Sequence, residues 1–511
     1  MPGKAQPLQS SATVGNPVSS TSSPMRRIGR HSLVYGAGLM LTKAVSFVML
    51  PVYTRYLTPA DYGVMTLISM TLDVIAIMAG TKVALGIFRY YHKAETDDDR
   101  NAVVSTALWT LSASYGVVGV VTCVVADFLS SLVFSSPQYA PLIRLAGAAL
   151  ALQSTQLVPL AYARLRERSG LFVFANTLKL VVQLGLNIYF IVVLGLGVRG
   201  VFLANLVATV VIGLWLVIYV LRHVGFHLSP IATRQLLRYG VPLVGTQLAT
   251  FIVTFGDRYF LQRAGTVSDV GIYSLAYQFG FLLATVGYIP FEMVWEPMRF
   301  EIAKRPDRDE LFARGFLYMN VVLITSAVIL ALFVPDVLRV MTTPAFYSAA
   351  GLVPIILIGY VLQGWAQIQD TGILISERTM FVTIANWAAA TVAILGYAFL
   401  IPRYLGFGAA VATAAAFATR HACIYFFSQR LWPVRYNWWP VLRLCTAAIA
   451  VCIAGALLPH ANLGVSLASR VALFLLFIVI VWNANILSSE DRGLVRRWIS
   501  SPRMAFSALR A

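Results

Sequence analysis

Charged residues are scarce in this sequence. Asp, Glu, Lys and Arg together make up 12% of the 511 residues, whereas hydrophobic residues make up 59%. Because an ordinary soluble protein is about a quarter charged, this composition excludes a typical soluble domain. Apolar runs recur along the whole chain, and each is long enough, at about 18 residues or more, to cross a bilayer as a helix. The short alternating strands of a membrane barrel are absent, so the sequence predicts an all-α polytopic membrane protein.

Residues arranged for catalysis or metal binding are also missing. The acidic run Asp97-Asp98-Asp99 stands directly before a predicted helix, where acidic residues favour the N-terminus, rather than in a metal-binding motif. The sequence has no large loop, no His/Asp/Glu cluster and no phosphate-cradling glycine loop. We therefore expect no enzyme activity, no metal and no cofactor. The cysteines lie in apolar runs without metal-ligand spacing and are predicted to be small packing residues: Cys123, Cys423, Cys445 and Cys452.

Hydropathy predicts about fourteen membrane-spanning helices joined by short connections. The predicted spans are 31–53, 61–88, 101–126, 139–163, 169–194, 197–221, 235–258, 267–298, 311–334, 346–373, 379–401, 406–429, 438–458 and 468–488.

The formal net charge of +18 comes mostly from Lys and Arg in loops on the side of the N-terminus. The positive-inside rule therefore places both termini in the cytoplasm. Residues 1–29 are predicted to form a disordered tail there, and residues 491–511 a basic tail. Topology and attraction to anionic membrane lipids account for the charge, so we expect no nucleic-acid partner.

The second half of the chain repeats the first. The stretch YGAGLMLTKAVSF at 35–47 aligns with YGVPLVGTQLATF at 239–251. Because each half holds an even number of spans, the two halves cross the membrane in the same sense. We predict two parallel six-helix lobes around a central cavity, the N-lobe at 30–230 and the C-lobe at 231–432, followed by two extra helices in 433–490. Further matches keep the same order: Thr54-Arg55-Tyr56 with Asp257-Arg258-Tyr259, Asp61-x-Gly63 with Asp269-x-Gly271, Leu152-Gln153 with Leu362-Gln363, Glu167-Arg168 with Glu377-Arg378, and Ala175-Asn176 with Ala385-Asn386.

Three stretches resemble a known family: LPVYTRYLTPADYGV at 50–64, DRYFLQRAGTVSDVGIYSLAY at 257–277 and LGFGAAVATAAAFAT at 405–419. They are similar to the polysaccharide-transporter branch of the multidrug/oligosaccharidyl-lipid/polysaccharide flippase superfamily, the O-antigen and exopolysaccharide flippases. The resemblance implies a flippase in the bacterial inner membrane that moves undecaprenyl-pyrophosphate-linked glycans, including lipopolysaccharide and capsule units, to the periplasmic leaflet. It also implies a proton or sodium gradient or the membrane potential as driving force, and polysaccharide polymerase and chain-length regulator proteins as partners.

Charges inside a bilayer cost about 3 kcal/mol each on insertion scales, so each one needs a partner or a function. Lys43 and Asp73 both lie about 18 Å into their helices, which favours an ion pair that is either structural or part of a cavity. On the fifth predicted span, 169–194, a polar stripe at helical spacing is formed by Asn176, Lys179, Gln183 and Asn187. We expect the stripe to line the cavity, and interhelical hydrogen bonding is the alternative. The predicted cavity residues are Lys43, Asp73, Arg144, Asn176, Lys179, Gln183, Gln247, Gln363 and Gln367.

Further charges lie toward the predicted helix ends. Glu292 and Glu296 share a helix face, as in a proton or sodium site, although a solvated interfacial pair is the alternative. Asp257 has no acidic counterpart in the first half of the repeat, which makes the Asp257-Arg258 pair a candidate for gating or ion coupling. Arg89 and Arg299 are predicted at the cytoplasmic mouth, either as positive-inside anchors or as ligands of the substrate pyrophosphate.

The predicted buried charges are mostly cationic, and cations and amides suit pyrophosphate and sugar hydroxyls. This favours a flippase for lipid-linked oligosaccharide that works by alternating access. A multidrug-extruder-like cation antiporter is the main alternative, and it would need an acidic, aromatic cavity. A membrane polysaccharide polymerase or ligase is a remote alternative, because the large periplasmic loop of such enzymes is missing.

Overall fold

A computed structural model describes residues 49–458 and 462–484, together with residues 486 and 492. This part of the chain is helical throughout and contains no strand. The helices are α1 (Leu50–Tyr56), α2 (Pro59–Ala79), α3 (Val83–Lys93), α4 (Asp97–Val124), α5 (Ala126–Phe134), α6 (Ala140–Ala151), α7 (Ser154–Leu165), α8 (Ser169–Ile188), α9 (Gly197–Val224), α10 (Pro230–Phe255), α11 (Asp257–Ala264), α12 (Val267–Gly287), α13 (Ile289–Ile302), α14 (Arg308–Met341), α15 (Ala349–Gln369), α16 (Thr371–Ile375), α17 (Met380–Leu431), α18 (Trp438–Ala456) and α19 (Leu463–Asn483).

Within the described residues, 11 helical stretches are long and apolar enough to cross a membrane. The all-α polytopic prediction is therefore confirmed, whereas the count of fourteen stays a prediction. Most of the first predicted span lies outside the described residues. The fourth is broken after Ala151 into α6 and α7. Two later spans are joined in the 52-residue helix α17, which has a kink at Leu405.

Two helices of the predicted repeat begin with the same capping box. The Thr58 hydroxyl accepts a hydrogen bond from the Asp61 N–H, and the Asp61 carboxylate accepts one from the Thr58 N–H. Thr266 and Asp269 make the same reciprocal pair at the start of α12. Each box satisfies two backbone donors that would otherwise lack a partner. Asp61 and Asp269 therefore have the same capping role in α2 and α12.

The glycines that follow these caps bring the two helices into backbone contact. A Cβ on Gly63 would lie 2.0 Å from the Val267 carbonyl oxygen, and one on Gly271 would lie 1.9 Å from that of Pro59. No side chain fits at such distances, so only glycine allows this approach. The N-terminal ends of α2 and α12 are therefore closed against each other.

A second pair of matched positions has the same turn. Glu167 and Glu377 both have positive φ, 52° and 57°. The Arg168 N–H donates to the Ala163 carbonyl, and the Arg378 N–H donates to the Ile373 carbonyl, as in a helix ending with a left-handed residue. Local structure thus agrees with the alignment at these positions, while the repeat as a whole stays a prediction.

The last two described helices, α18 and α19, pack on α14. The buried Asp336 carboxylate accepts from Ser466 Oγ at 2.9 Å and lies 3.0 Å from Arg470 Nε. Because leaving one of these groups unpaired would be costly in an apolar setting, the contact fixes α19 against α14.

Candidate functional site

A polar pocket is lined by residues of the first half of the chain, the predicted N-lobe, and we call it the N-lobe pocket. Its volume is about 220 Å³, and it is bounded by α2, α6, α7, α8 and α9 together with the break between α6 and α7. At about 1.5 Å rise per residue, Asp73 lies roughly 20 Å from the start of α2 and Lys179 roughly 15 Å from the start of α8. Both are therefore near the middle of a hydrocarbon layer about 30 Å thick. The polar residues that line the N-lobe pocket are Ser69, Asp73, Gln153, Gln156, Lys179, Asn205 and Thr209.

Lys179 carries the positive charge of the N-lobe pocket. Its Nζ donates to Gln156 Oε1 at 2.7 Å, and Gln156 Nε2 in turn donates to the Thr209 carbonyl at 3.2 Å. Among the described residues Lys179 makes no ion pair with a carboxylate. A neutral amide holds the ammonium group in place without cancelling its charge, so the pocket keeps a cation available for an anionic ligand.

Asp73 lines the same pocket and is exposed to it. Its predicted partner, Lys43, lies outside the described residues, so that ion pair stays a prediction. The Asp73 carboxylate and the Lys179 ammonium line the same pocket and make no ion pair with each other.

The polar stripe predicted in the span 169–194 lies on α8, and its residues have two different roles. Lys179 faces the N-lobe pocket, and Gln183 is partly buried. Asn176 donates to the Phe172 carbonyl of its own helix. Asn187 is buried and donates to the Tyr53 hydroxyl of α1 at 2.9 Å. Both predicted readings are therefore represented, cavity lining at Lys179 and interhelical bonding at Asn187.

A second cation lies in the second half of the chain at Arg420, which is not among the residues predicted to line the cavity. Its guanidinium donates to Asn386 Oδ1 at 2.8 Å, to Gln363 Oε1 at 3.0 Å and to Gln367 Oε1 at 3.2 Å. We call these four residues the Arg420 network. All three acceptors are neutral amide oxygens, and the carboxylates of Asp370 and Glu292 are near enough to interact with the Arg420 charge without contacting it directly. The predicted amides Gln363 and Gln367 were the signal that pointed toward it.

Glu292 and Glu296 have different hydrogen-bond and ion-pair partners in the described structure. Glu292 Oε1 accepts from Gln367 Nε2 at 3.1 Å and so borders the Arg420 network. The Glu296 side chain is 61% exposed and lies 3.6 Å from Arg299. The two carboxylates therefore have different partners, and their role in gating or ion coupling stays a prediction.

The two predicted mouth arginines are in different surroundings. Arg299 is buried, and its guanidinium pairs with Asp370 Oδ1 at 2.6 Å, which ties α13 to the end of α15. The Arg89 guanidinium lies over the Tyr239 ring, 5.5 Å from its centre, and links α3 to α10. Arg299 is thus already occupied by a carboxylate, and of the two Arg89 is the better candidate for contact with an anion.

Asp257 and Arg258 form a completely buried ion pair at the break between α10 and α11. Arg258 Nη1 lies 2.6 Å from Asp257 Oδ1, and the Tyr273 hydroxyl donates to Asp257 Oδ2 at 2.6 Å. Thr413 donates to the same oxygen at 3.1 Å, and the guanidinium lies 3.9 Å from the centre of the Tyr277 ring. This network joins α11, α12 and α17, so it has a structural role whether or not it couples ions.

Arg144 and Gln247 belong neither to the N-lobe pocket nor to the Arg420 network. Arg144 is at the surface, where it forms an ion pair with Asp127, and Gln247 is partly buried on α10. Neither lines the N-lobe pocket.

The comparisons with known proteins fit this architecture. The model of a family described as "Polysaccharide biosynthesis protein" matches residues 28–303, more than half of the chain. The chain belongs to this family. No match was found among curated proteins.

Solved structures with the same fold are transport proteins. The lipid II flippase MurJ in an inward closed conformation has a TM-score of 0.73 at 10% identity, covering 89% of this chain and 100% of that one. A multidrug resistance MATE family transporter in an inward-facing conformation has a TM-score of 0.62 at 17% identity, covering 78% and 97%. An outward-facing MATE structure has a TM-score of 0.53 at 15% identity, covering 80% and 98%. At these identities the structural likeness establishes only the fold of this polysaccharide biosynthesis protein.

Proposed function

We propose that the protein is a flippase that moves undecaprenyl-pyrophosphate-linked oligosaccharide, an O-antigen, capsule or exopolysaccharide unit, from the cytoplasmic to the periplasmic leaflet of the bacterial inner membrane. The observation that carries the proposal is Lys179, a cation at mid-membrane depth held by the neutral Gln156. The family supports a role in polysaccharide biosynthesis, and the fold supports transport rather than catalysis.

Placing a cation in a membrane costs about 3 kcal/mol on insertion scales. A structural lysine would normally recover that cost through a carboxylate. Lys179 instead donates to an amide oxygen, as Arg420 does three times in the other lobe. A pyrophosphate is the ligand that cations held by neutral amides bind best, because charge-assisted hydrogen bonds to phosphate oxygens are the strong ones.

In this proposal the substrate crosses the membrane by alternating access, in which the protein opens to one side at a time. The chain is closed where the N-terminal ends of α2 and α12 meet through Gly63 and Gly271, and charge placement predicts that this end is periplasmic. Substrate would enter from the cytoplasmic side, and separation of α2 from α12 would release it to the periplasm. In this proposal a proton or sodium gradient drives the cycle, and a polysaccharide polymerase and chain-length regulator receive the product.

A multidrug-extruder-like cation antiporter is the second candidate, favoured by one observation. Asp73 presents a carboxylate to the N-lobe pocket and has no ion pair among the described residues, and a carboxylate in a membrane cavity suits an organic cation or a proton. The two candidates differ in which charge meets the substrate: Lys179 in the flippase and Asp73 in the antiporter.

The test is Lys179→Ala in a strain that depends on this protein for its surface polysaccharide. We expect surface polysaccharide to fall about tenfold or more, since one charge-assisted hydrogen bond contributes about 1.5–3 kcal/mol. Lys93→Ala, at an exposed lysine at the end of α3, is the matched control and should leave the polysaccharide unchanged. Normal polysaccharide from Lys179→Ala, at wild-type protein level in the membrane, would contradict the assignment.

A further inference from the structure

The Asp73 carboxylate is the group in the N-lobe pocket to which the proposed flippase function gives no role. Asp73 and Ser69 lie one turn apart on α2, and both side chains are exposed to the pocket that they line. Neither side chain makes a hydrogen bond or an ion pair within the described part of the chain. Because a lone carboxylate is costly at mid-membrane depth, a ligand that pairs with it has an advantage over one that does not.

The charges of the N-lobe pocket do not suit a bare pyrophosphate. Its described lining carries one cation, Lys179, and one anion, Asp73, so the formal charges of the lining cancel. In a lipid-linked glycan the pyrophosphate is a diester, and each of its two phosphate groups carries a negative charge. In a pocket of only about 220 Å³, the Asp73 carboxylate would repel the pyrophosphate that Lys179 attracts.

A divalent cation between Asp73 and the pyrophosphate removes this conflict. Mg²⁺ forms a neutral complex with a pyrophosphate diester, and that complex matches the neutral lining of the pocket. Mg²⁺ is usually bound by one or two carboxylates together with substrate phosphates and several waters, rather than by a cage of protein ligands. Since the described residues contain no group of three or more His, Cys, Asp or Glu side chains that could hold a metal, we expect the ion to bind only together with the pyrophosphate.

The neutral polar groups of the N-lobe pocket suit a hydrated complex of this kind. Gln153 and Asn205 line the pocket, and their side-chain amides make no hydrogen bond with another described residue. A carboxamide can donate to a phosphate oxygen and accept from a metal-bound water. The Ser69 hydroxyl, on the same face of α2 as Asp73, can also accept from such a water.

A pocket in the second half of the chain provides a contrast. It has a volume of about 250 Å³, and its described lining residues include no charged side chain. At the offset that pairs Asp61 with Asp269, Asp73 corresponds to Phe281, which lines this second pocket. The combination of a carboxylate and a cation is therefore present in the first of these two pockets and not in the second.

We propose that the N-lobe pocket binds the pyrophosphate as its Mg²⁺ complex, in which Lys179 donates to a phosphate oxygen and Asp73 ligates the metal that bridges to the pyrophosphate. This inference rests on the proposed flippase function and names the ionic form of its substrate. The metal enters and leaves with the lipid-linked glycan, so it is part of the cargo and not a resident cofactor.

The test measures how tightly the purified full-length protein in nanodiscs of zwitterionic lipid binds farnesyl diphosphate carrying one glucose, with Mg²⁺ or with EDTA. This probe has the same pyrophosphate diester as the proposed substrate. We expect wild type to bind it about tenfold more tightly with Mg²⁺. Asp73→Asn keeps the shape of the side chain and removes its charge. It should bind the probe equally in both conditions, and more tightly than wild type in EDTA because the repulsion is gone.

Asp98→Asn, at an exposed carboxylate at the start of α4, is the matched control and should keep the Mg²⁺ dependence of wild type. Electron paramagnetic resonance with Mn²⁺ in place of Mg²⁺ gives a second readout. Bound Mn²⁺ should be detected in wild type only when the probe is present, and its affinity should fall about tenfold in Asp73→Asn.

The outcomes separate this inference from the function on which it rests. Equal affinity of wild type in Mg²⁺ and EDTA, or an unchanged Mg²⁺ dependence in Asp73→Asn, would overturn the metal site while the pyrophosphate still binds. Weaker binding by Asp73→Asn than by wild type in EDTA would also overturn it, and would assign the carboxylate to the predicted ion pair with Lys43. If wild type does not bind the probe in either condition, the flippase proposal fails as well.

Discussion

At the scale of single residues, the two lobes hold their membrane cations in the same way. Lys179 donates to one amide oxygen, and Arg420 donates to three. The helical spacing of polar residues in the span 169–194 was enough to single out Lys179, which lines the N-lobe pocket, while its contact with substrate stays a prediction. Arg420 could not be assigned in the same way, because its partners Gln363, Gln367 and Asn386 come from two other helical segments and only the fold brings them together.

The buried pair Asp257–Arg258 gives a prediction at this scale. Asp257→Ala would leave a buried guanidinium without its carboxylate, which costs about 3–5 kcal/mol. We expect a clearly lower melting temperature for the purified protein in detergent. The double variant Asp257→Ala/Arg258→Met removes both charges and should recover part of the loss.

The same variants distinguish a structural role of the Asp257–Arg258 pair from a role in ion coupling. If Asp257→Ala melts like wild type but no longer supports polysaccharide export, the pair acts in ion coupling rather than in holding α11, α12 and α17 together.

At the scale of helices, the sequence predicts where a helix begins better than where a helix is interrupted. The capping boxes at Thr58 and Thr266 are visible in the residue types alone, and both are present. The breaks after Ala151 and Gln369 lie in stretches without proline. Hydropathy averages over a window of residues and cannot detect a break that neighbouring helices stabilise, so the sequence predicted a single span at each place.

The contact between α2 and α12 gives a prediction about conformation. Gly63→Ala places a methyl group 2.0 Å from the Val267 carbonyl oxygen, and overpacking of this kind costs about 1–3 kcal/mol in the closed arrangement. The population with this end open should rise about tenfold. In a cysteine-free background, Ser69→Cys should then react faster with an impermeant maleimide added from the side of this contact.

Gly116→Ala is the control for that experiment, because a Cβ at Gly116 would have no atom within 4 Å among the described residues. It should leave the labelling rate unchanged. Equal rates in the two alanine variants would mean that the glycine contact does not control closure.

At the scale of the whole molecule, composition and charge placement were sufficient to predict a polytopic helical protein, and the motifs were sufficient for its family. The two pockets could not be predicted as units, because each is built from segments far apart in the chain. The first half holds one cation and one carboxylate in its pocket, at Lys179 and Asp73, whereas Phe281 stands at the position of the second half that corresponds to Asp73.

The most direct test of the central claim is transport by the purified protein in proteoliposomes. One arm follows a fluorescent polyprenyl-pyrophosphate-linked oligosaccharide between leaflets, and the other follows a cationic dye under a proton or sodium gradient. The flippase account predicts that the protein accelerates movement of the lipid-linked glycan, that Lys179→Ala slows this movement about tenfold, and that the dye is not transported. Gradient-driven transport of the dye with no effect on the lipid-linked glycan would contradict it and favour the antiporter.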